Sequence, residues 1–247
     1  MPAGYTHYVF GEQVLSQLDE NIKKRIMPYI DLYHIGIHGP DILFYYDVYK
    51  KNPVKSLGFG MHQLPATDFF KHAKELIRQD ATDATLAYTI GFITHFTLDS
   101  SLHPEIGVLE NTLSMTHSLL ESELDRELLV RVRKDPLTAN LTTHIHPDYT
   151  NAQVIAPFFD LKAEEVDKAL HDLLFILKWL VAPSKLKRNF VLGVMKLGGM
   201  YEEYKGLLIN YEKDEHAAND INHLIEMKDE AVPLAVSLIN EYVDHLD

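Results

Sequence analysis

The sequence predicts an all-α protein, a helical bundle organised as a single domain over residues 1–247. Three observations predict it. Apolar residues recur at helical spacing along most of the chain, no alternating strand pattern of useful length occurs, and neither repeats nor a low-complexity linker divides it. Val14, Leu15, Leu18 and Ile22 set the first helical stripe, and Phe69, Phe70, Ala73, Leu76 and Ile77 set another. Residues 83–103 form a long, mostly apolar helix whose several apolar faces place it at the centre of the bundle. Gly91 is a mild cost inside it. Because proline disfavours the α region for the residue before it, Pro104 is expected to end this helix at His103. Residues 113–132 make a second long helix carrying Glu121, Glu123, Asp125 and Glu127 among leucines. After Pro136, residues 138–156 are rich in Thr, Asn, His and Pro and are expected to form a loop. Two further helices, 163–181 and 230–247, bracket shorter pieces and complete the bundle.

Composition narrows the function. The chain has 23 basic and 36 acidic side chains, a formal net charge of −13, and 46% apolar residues. That is an ordinary globular balance with ample length for a core. The negative charge argues against a generic nucleic-acid binder and against a protein held on anionic lipid by a basic patch. No run reaches the roughly 18 apolar residues of a membrane span. The N-terminus Met-Pro-Ala-Gly-Tyr-Thr-His lacks a basic and then apolar leader, so a cytoplasmic location is expected. There is no cysteine, which removes disulfides, thiolate zinc sites, iron–sulfur clusters and cysteine nucleophiles. A metal would have to be held by histidine and carboxylate, and the chain has 14 histidines.

Several of those histidines sit one helical turn from a carboxylate. His95 and Asp99 leave one face of the long central helix, and His117 and Glu121 repeat the arrangement on the next. His103 lies four residues beyond Asp99. One such pair alone is usually a surface contact. The first pair, however, interrupts the apolar run Tyr88, Ile90, Phe92, Ile93, Phe96 and Leu98. An unpaired carboxylate or imidazole buried there would cost on the order of several kcal/mol, which a metal ion removes. Two such pairs on adjacent helices match the way metal sites are built in bundle cores.

The ordered series Thr6-His7, Gly39-Pro40-Asp41, Met61-His62, His95-x-x-x-Asp99, His103-Pro104 and His117-x-x-x-Glu121 resembles the zinc-dependent phospholipase C family, whose superfamily includes single-strand-specific zinc nucleases. The resemblance is close over the first half of the chain. It implies a multinuclear zinc site between helices holding two or three Zn2+ ions, with the ligands confined to 7–121. By position, Asp41, His62, His95 and Asp99 would hold one ion, and His103, His117 and Glu121 a second. His7 would help hold a third, with Asp99 bridging. Secreted members complete that third site with an N-terminal tryptophan. Here Met1-Pro2-Ala3 stands instead, so the Pro2 amine is the candidate and both stoichiometries stay open. The resemblance further implies phosphodiester hydrolysis, with metal-activated hydroxide attacking phosphorus in line and Asp41 orienting the water or taking its proton. The substrate would be a phospholipid head group or another small phosphodiester.

Two other readings stay open. One is a zinc nuclease or nucleotide phosphatase on the same ligands, which the negative charge disfavours. The other is a non-catalytic, metal-stabilised helical protein. Phe44, Tyr45, Tyr46 and Tyr49 follow Asp41 and suit either core packing or a wall caging a quaternary ammonium, which makes Tyr45 and Tyr46 candidate substrate contacts. His34 and His38 are expected to support the site or to be plain polar helix residues; His144 and His146 alternate in a polar loop where they could bind a metal in an extended segment, but solvent exposure is the expectation. His171-Asp172 is a rival metal dyad, while His72, His216, His223 and His245 are expected at the surface. Nothing in the sequence signals oligomeric state.

Overall fold

Polar side chains mark where helices begin. Asp19, Asn52, Thr116, Asp148 and Ser184 each accept a hydrogen bond from a backbone N–H in the first turn that follows. The computed structural model describes residues 4–246 and contains no strand among them. In chain order the helices are α1 (Gly4–Gln17), α2 (Glu20–Ile26), α3 (Ile30–Gly36), α4 (Pro53–Met61), α5 (Ala66–Gln79), α6 (Ala84–Leu113) and α7 (His117–Arg131). They continue with α8 (Tyr149–Ile155), α9 (Ala163–Leu180), α10 (Lys185–Leu197), α11 (Tyr201–Tyr204) and α12 (Ala218–Asp244), and a 3₁₀ segment, Gly39–Tyr45, lies between α3 and α4. The protein is all-α.

Helix α6 is the axis. Every residue from Ala84 to His95 is buried, and the helix packs chiefly against α3 and α12, with α1, α5 and α7 around them. Its crossing with α3 depends on two glycines. A Cβ at Gly36 would lie 2.4 Å from the Tyr88 carbonyl oxygen, and one at Gly91 would lie 2.4 Å from that of Tyr33. Gly91 is therefore required by the close approach of two backbones, which outweighs its propensity cost. A second long-range device sets α1. Asp125 on α7 accepts from the backbone N–H groups of Tyr5 and Thr6, at 3.3 and 2.8 Å, and from the Thr6 hydroxyl at 2.7 Å, thereby capping α1 from another helix.

Several expectations are corrected. Helix α6 does not stop at His103 but runs through Pro104 to Leu113. Proline deletes the hydrogen bond to Ser100, at a cost of about 3 kcal/mol. Burial of Leu102, Ile106 and Leu109 outweighs that cost, and the deleted bond falls at an exposed residue. Ser114 then takes a left-handed conformation (φ 53°), so the next helix starts at His117 rather than 113. The first stripe splits at Leu18, where Asp19 caps α2. The 138–156 loop holds a helix, α8, and α12 begins at Ala218, well before 230.

Candidate metal centre

Each of the sequence's candidate ligands lies where a local device puts it. His7 sits in the first turn of α1, the helix end that Asp125 caps. Asp41 lies in the 3₁₀ segment after Gly39, whose φ is +53° and where a Cβ would lie 2.2 Å from the His95 ring, so only glycine lets that ring and Asp41 approach. His62 caps the end of α4. His95, Asp99 and His103 run along one face of α6, and His117 and Glu121 along one face of α7.

These side chains converge. The Asp99 carboxylate faces four imidazoles: His7 Nε2 at 3.2 Å and His103 Nε2 at 3.5 Å from Oδ1, and His95 Nε2 at 3.2 Å and His62 Nε2 at 3.8 Å from Oδ2. His62 Nε2 also lies 2.9 Å from Asp41 Oδ1. Beside this cluster, His117 Nε2 and His103 Nε2 lie 3.3 and 3.8 Å from Glu121 Oε1. Three ligand groups result, each with its donor atoms within 4.8 Å of one another: His7, His95 and Asp99; Asp41, His62 and His95; His103, His117 and Glu121. Met1 and Pro2, to which the amine of a third site would belong, lie outside the described residues.

The model of the zinc-dependent phospholipase C family matches residues 6–173 of the chain. The chain belongs to that family. No curated protein and no solved structure matches it.

Zinc fits the donor set of this phospholipase C family member. Imidazole nitrogen and carboxylate oxygen are its ligands where thiolate is absent. Glu121 Oε2 is buried without a hydrogen-bond partner, a state that costs roughly 1–3 kcal/mol unless a cation takes up the lone pairs. Other contacts aim the imidazoles. His62 Nδ1 lies 3.0 Å from the Gly58 carbonyl oxygen, and His117 Nδ1 lies 3.3 Å from Glu110 Oε2, while Glu110 Oε1 accepts from the His117 backbone N–H at 2.9 Å. In both residues these contacts leave Nε2 turned toward the carboxylates.

Charge is balanced within the cluster. Burial pushes the Asp99 carboxyl up, but His95 and His7 outweigh it and hold the group well below the usual range. At Glu121, burial is likewise overcome by His103 and His117, which hold the carboxyl at about 2. The same pairing acts in reverse on the bases. Against burial, Asp41 raises His62 to about 9, and Glu121 raises His117 to about 9. His7 moves the other way, because burial outweighs the pull of Asp99.

Four of the eight candidate ligands, His62, His95, Asp99 and His103, line a cavity of about 540 Å³, whereas His7, Asp41, His117 and Glu121 are not among its lining residues. Its polar lining is His62, His95, Asp99, Ser100 and His103, with Asp68 also contributing, and its apolar walls include Met61, Leu64, Phe69, Phe92 and Phe96. Tyr45 and Tyr46 are not among the lining residues. Tyr45 is buried, and the Tyr46 ring lies 5.4 Å beneath the Lys168 ammonium.

The remaining histidines divide. His144, expected in solvent, is buried with its Nε2 2.7 Å from His38 Nε2 and the Tyr8 ring stacked on it at 4.2 Å. Aromatic stacking and a long-range partner draw it inward, against the polarity of its own segment. His34 pairs with Glu12 at 2.9 Å, and His146 pairs with Asp31 at the surface. The His171-Asp172 dyad does not form: His171 Nδ1 lies against the Asp167 carbonyl, and Asp172 binds Lys168 and the Asp47 N–H. Glu110 and Asp125 were missed as supporting residues. Asp125 lies four beyond Glu121, a spacing that could have pointed to it.

Proposed function

We propose that this zinc-dependent phospholipase C family member hydrolyses the phosphodiester of an amphipathic substrate, with a phospholipid head group as the leading case. The observation that carries the reading is the cavity. Four candidate ligands, His62, His95, Asp99 and His103, line it, its walls are aromatic and aliphatic, and among the described residues no lysine or arginine lines it. A phosphodiester with an apolar body suits such a site. A polynucleotide does not, since strands are tracked by cationic grooves. A closed structural zinc site would not open on a cavity.

Asp41, His62, His95 and Asp99 would hold one ion, His103, His117 and Glu121 a second, and His7 with Asp99 a third. Zinc there would supply Lewis acidity toward a phosphoryl oxygen and a more acidic water. Asp41 is the candidate base. Burial raises its carboxyl, but His62 more than compensates, so it is ionised at neutral pH and can accept a proton or orient a water beside the ligands. A substrate seated against the apolar walls would displace water from the cavity and strengthen each electrostatic contact at the ligands.

Metal analysis with an activity panel tests this. The purified protein is expected to contain zinc, and to cleave short-chain phosphatidylcholine but not single-stranded oligonucleotides, with activity lost on chelation. His95→Ala should lose both metal and turnover, and a variant that kept both would sink the assignment. Cleavage of oligonucleotides alone would decide for the nuclease reading. Zinc without turnover on any phosphodiester would decide for a structural role.

A further inference from the structure

Beyond the hydrolase reading, and independent of it, we propose that the outer face of α10, with the end of α9, is a docking surface for an anionic lipid bilayer. Leu186, Phe190, Val194 and Leu197 recur at helical spacing along α10 and are 83%, 59%, 49% and 93% exposed. Phe175 and Trp179 of α9 extend the face, with Trp179 packed 5.8 Å from the Phe190 ring and 6.3 Å from that of Phe175. The opposite side of α10 anchors it. Val191 and Met195 are buried in a small cluster with Ala182 and Leu208, Lys187 donates to the carbonyls of Lys178 and Val181, and Arg188 donates to that of Ile209. The helix is therefore apolar on two faces, and its own fold uses only one.

Charge selects the partner. The chain is acidic overall, yet no acidic residue occurs between Asp172 and Glu202, a stretch that holds Lys178, Lys185, Lys187, Arg188 and Lys196. Among the described residues none of these five cations is in an ion pair; Lys187 and Arg188 turn inward to backbone carbonyls, and Lys178, Lys185 and Lys196 are exposed. The acids at either end of the stretch are already neutralised, Asp172 by Lys168 and Glu202 by Lys205. A net charge of −13 conceals this face, so the exclusion of a basic lipid-binding patch drawn from overall charge does not hold locally. Exposed aromatic and aliphatic side chains with lysines flanking them, fixed on a surface helix, are the chemistry of an interfacial anchor. A second copy of the same face would set cation against cation. Most of the surface lies beyond residues 6–173, the family-matched region.

Trp179 is the chain's single tryptophan and reports directly on docking. With phosphatidylcholine vesicles containing phosphatidylglycerol, its emission is expected to shift to the blue and the protein to co-sediment, more weakly as salt rises. Pure phosphatidylcholine should bind less. Leu186→Asp with Phe190→Asp should reduce partitioning by on the order of tenfold or more. Lys185→Glu with Lys196→Glu, which leaves the apolar stripe intact, should remove the preference for the anionic vesicle. Both variants should keep their thermal melts, and their rate on a soluble, short phosphodiester should be unchanged, which separates failure of docking from failure of catalysis. No shift with anionic vesicles, equal binding to neutral ones, or self-association that the Leu186/Phe190 variant abolishes would each overturn the proposal.

Discussion

One carboxylate, Asp99, faces imidazoles from α1, the end of α4 and α6, so zinc loading is a competition with protons. In the metal-free protein His62 and His117 are raised to about 9, so both are cationic at pH 7 and must lose a proton to bind metal. Zinc affinity at the two sites that include His62 and His117 should therefore fall as pH drops below about 9, close to tenfold per pH unit for each of these two ions. Titration calorimetry at pH 7 in buffers of different ionisation enthalpy should show about one proton or more released for each of the two ions held by His62 and His117. A count of zero would contradict this protonation. A second residue-scale prediction concerns Glu110. Glu110→Gln leaves every proposed ligand in place but weakens the contact that aims His117, and should cost about 10–100-fold in zinc affinity at the second site, read by competition with a chelator. The candidate ligands were legible because histidine–carboxylate pairs at helical spacing interrupt apolar runs. Glu110 was not, since its partner lies across the left-handed turn at Ser114, and the His38–His144 contact spans 106 residues that no local pattern links.

At the scale of elements, the α3–α6 crossing sets where His95 and Asp99 stand relative to Asp41. Gly91→Ala should drive a Cβ into the Tyr33 carbonyl and cost about 2–3 kcal/mol, seen as a lower denaturant midpoint, with weaker zinc binding because His95 follows one turn later. Asp125→Ala should cost about 2–3 kcal/mol by leaving the buried Thr6 donors unmade, and it should loosen His7 before the other ligands. The existence of the long helices was legible from periodicity, and their ends were not. The sequence rule at Pro104 concerns local backbone sterics, whereas the helix is carried past it by Ile106 and Leu109 packing into a core contributed by distant segments.

For the whole molecule, the cluster buries carboxylates and imidazoles that zinc binds only when the chain is folded. Chelation should lower the thermal midpoint, and free zinc at a thousand times its dissociation constant should stabilise the fold by about 4 kcal/mol per site. A melt unaffected by chelation would mean that the site contributes nothing to folding. Fold class was the most legible property, because helical spacing and the absence of alternation repeat over most of the chain. Charge distribution was the least, because a single sum averages an acidic body with the cationic stretch from Lys178 to Lys196.

The order of the ligands along the chain has a consequence for biosynthesis. His7 opens the series and Glu121 closes it. At the usual rate of translation, about 5–20 residues per second, the first donor waits roughly 6–23 seconds for the last. During that interval the nascent polypeptide carries partial sets of nitrogen and oxygen donors, and divalent copper outcompetes zinc at such sets. Correct metallation thus depends on which ions are available as the ribosome works, or on the finished geometry displacing a wrong ion afterwards.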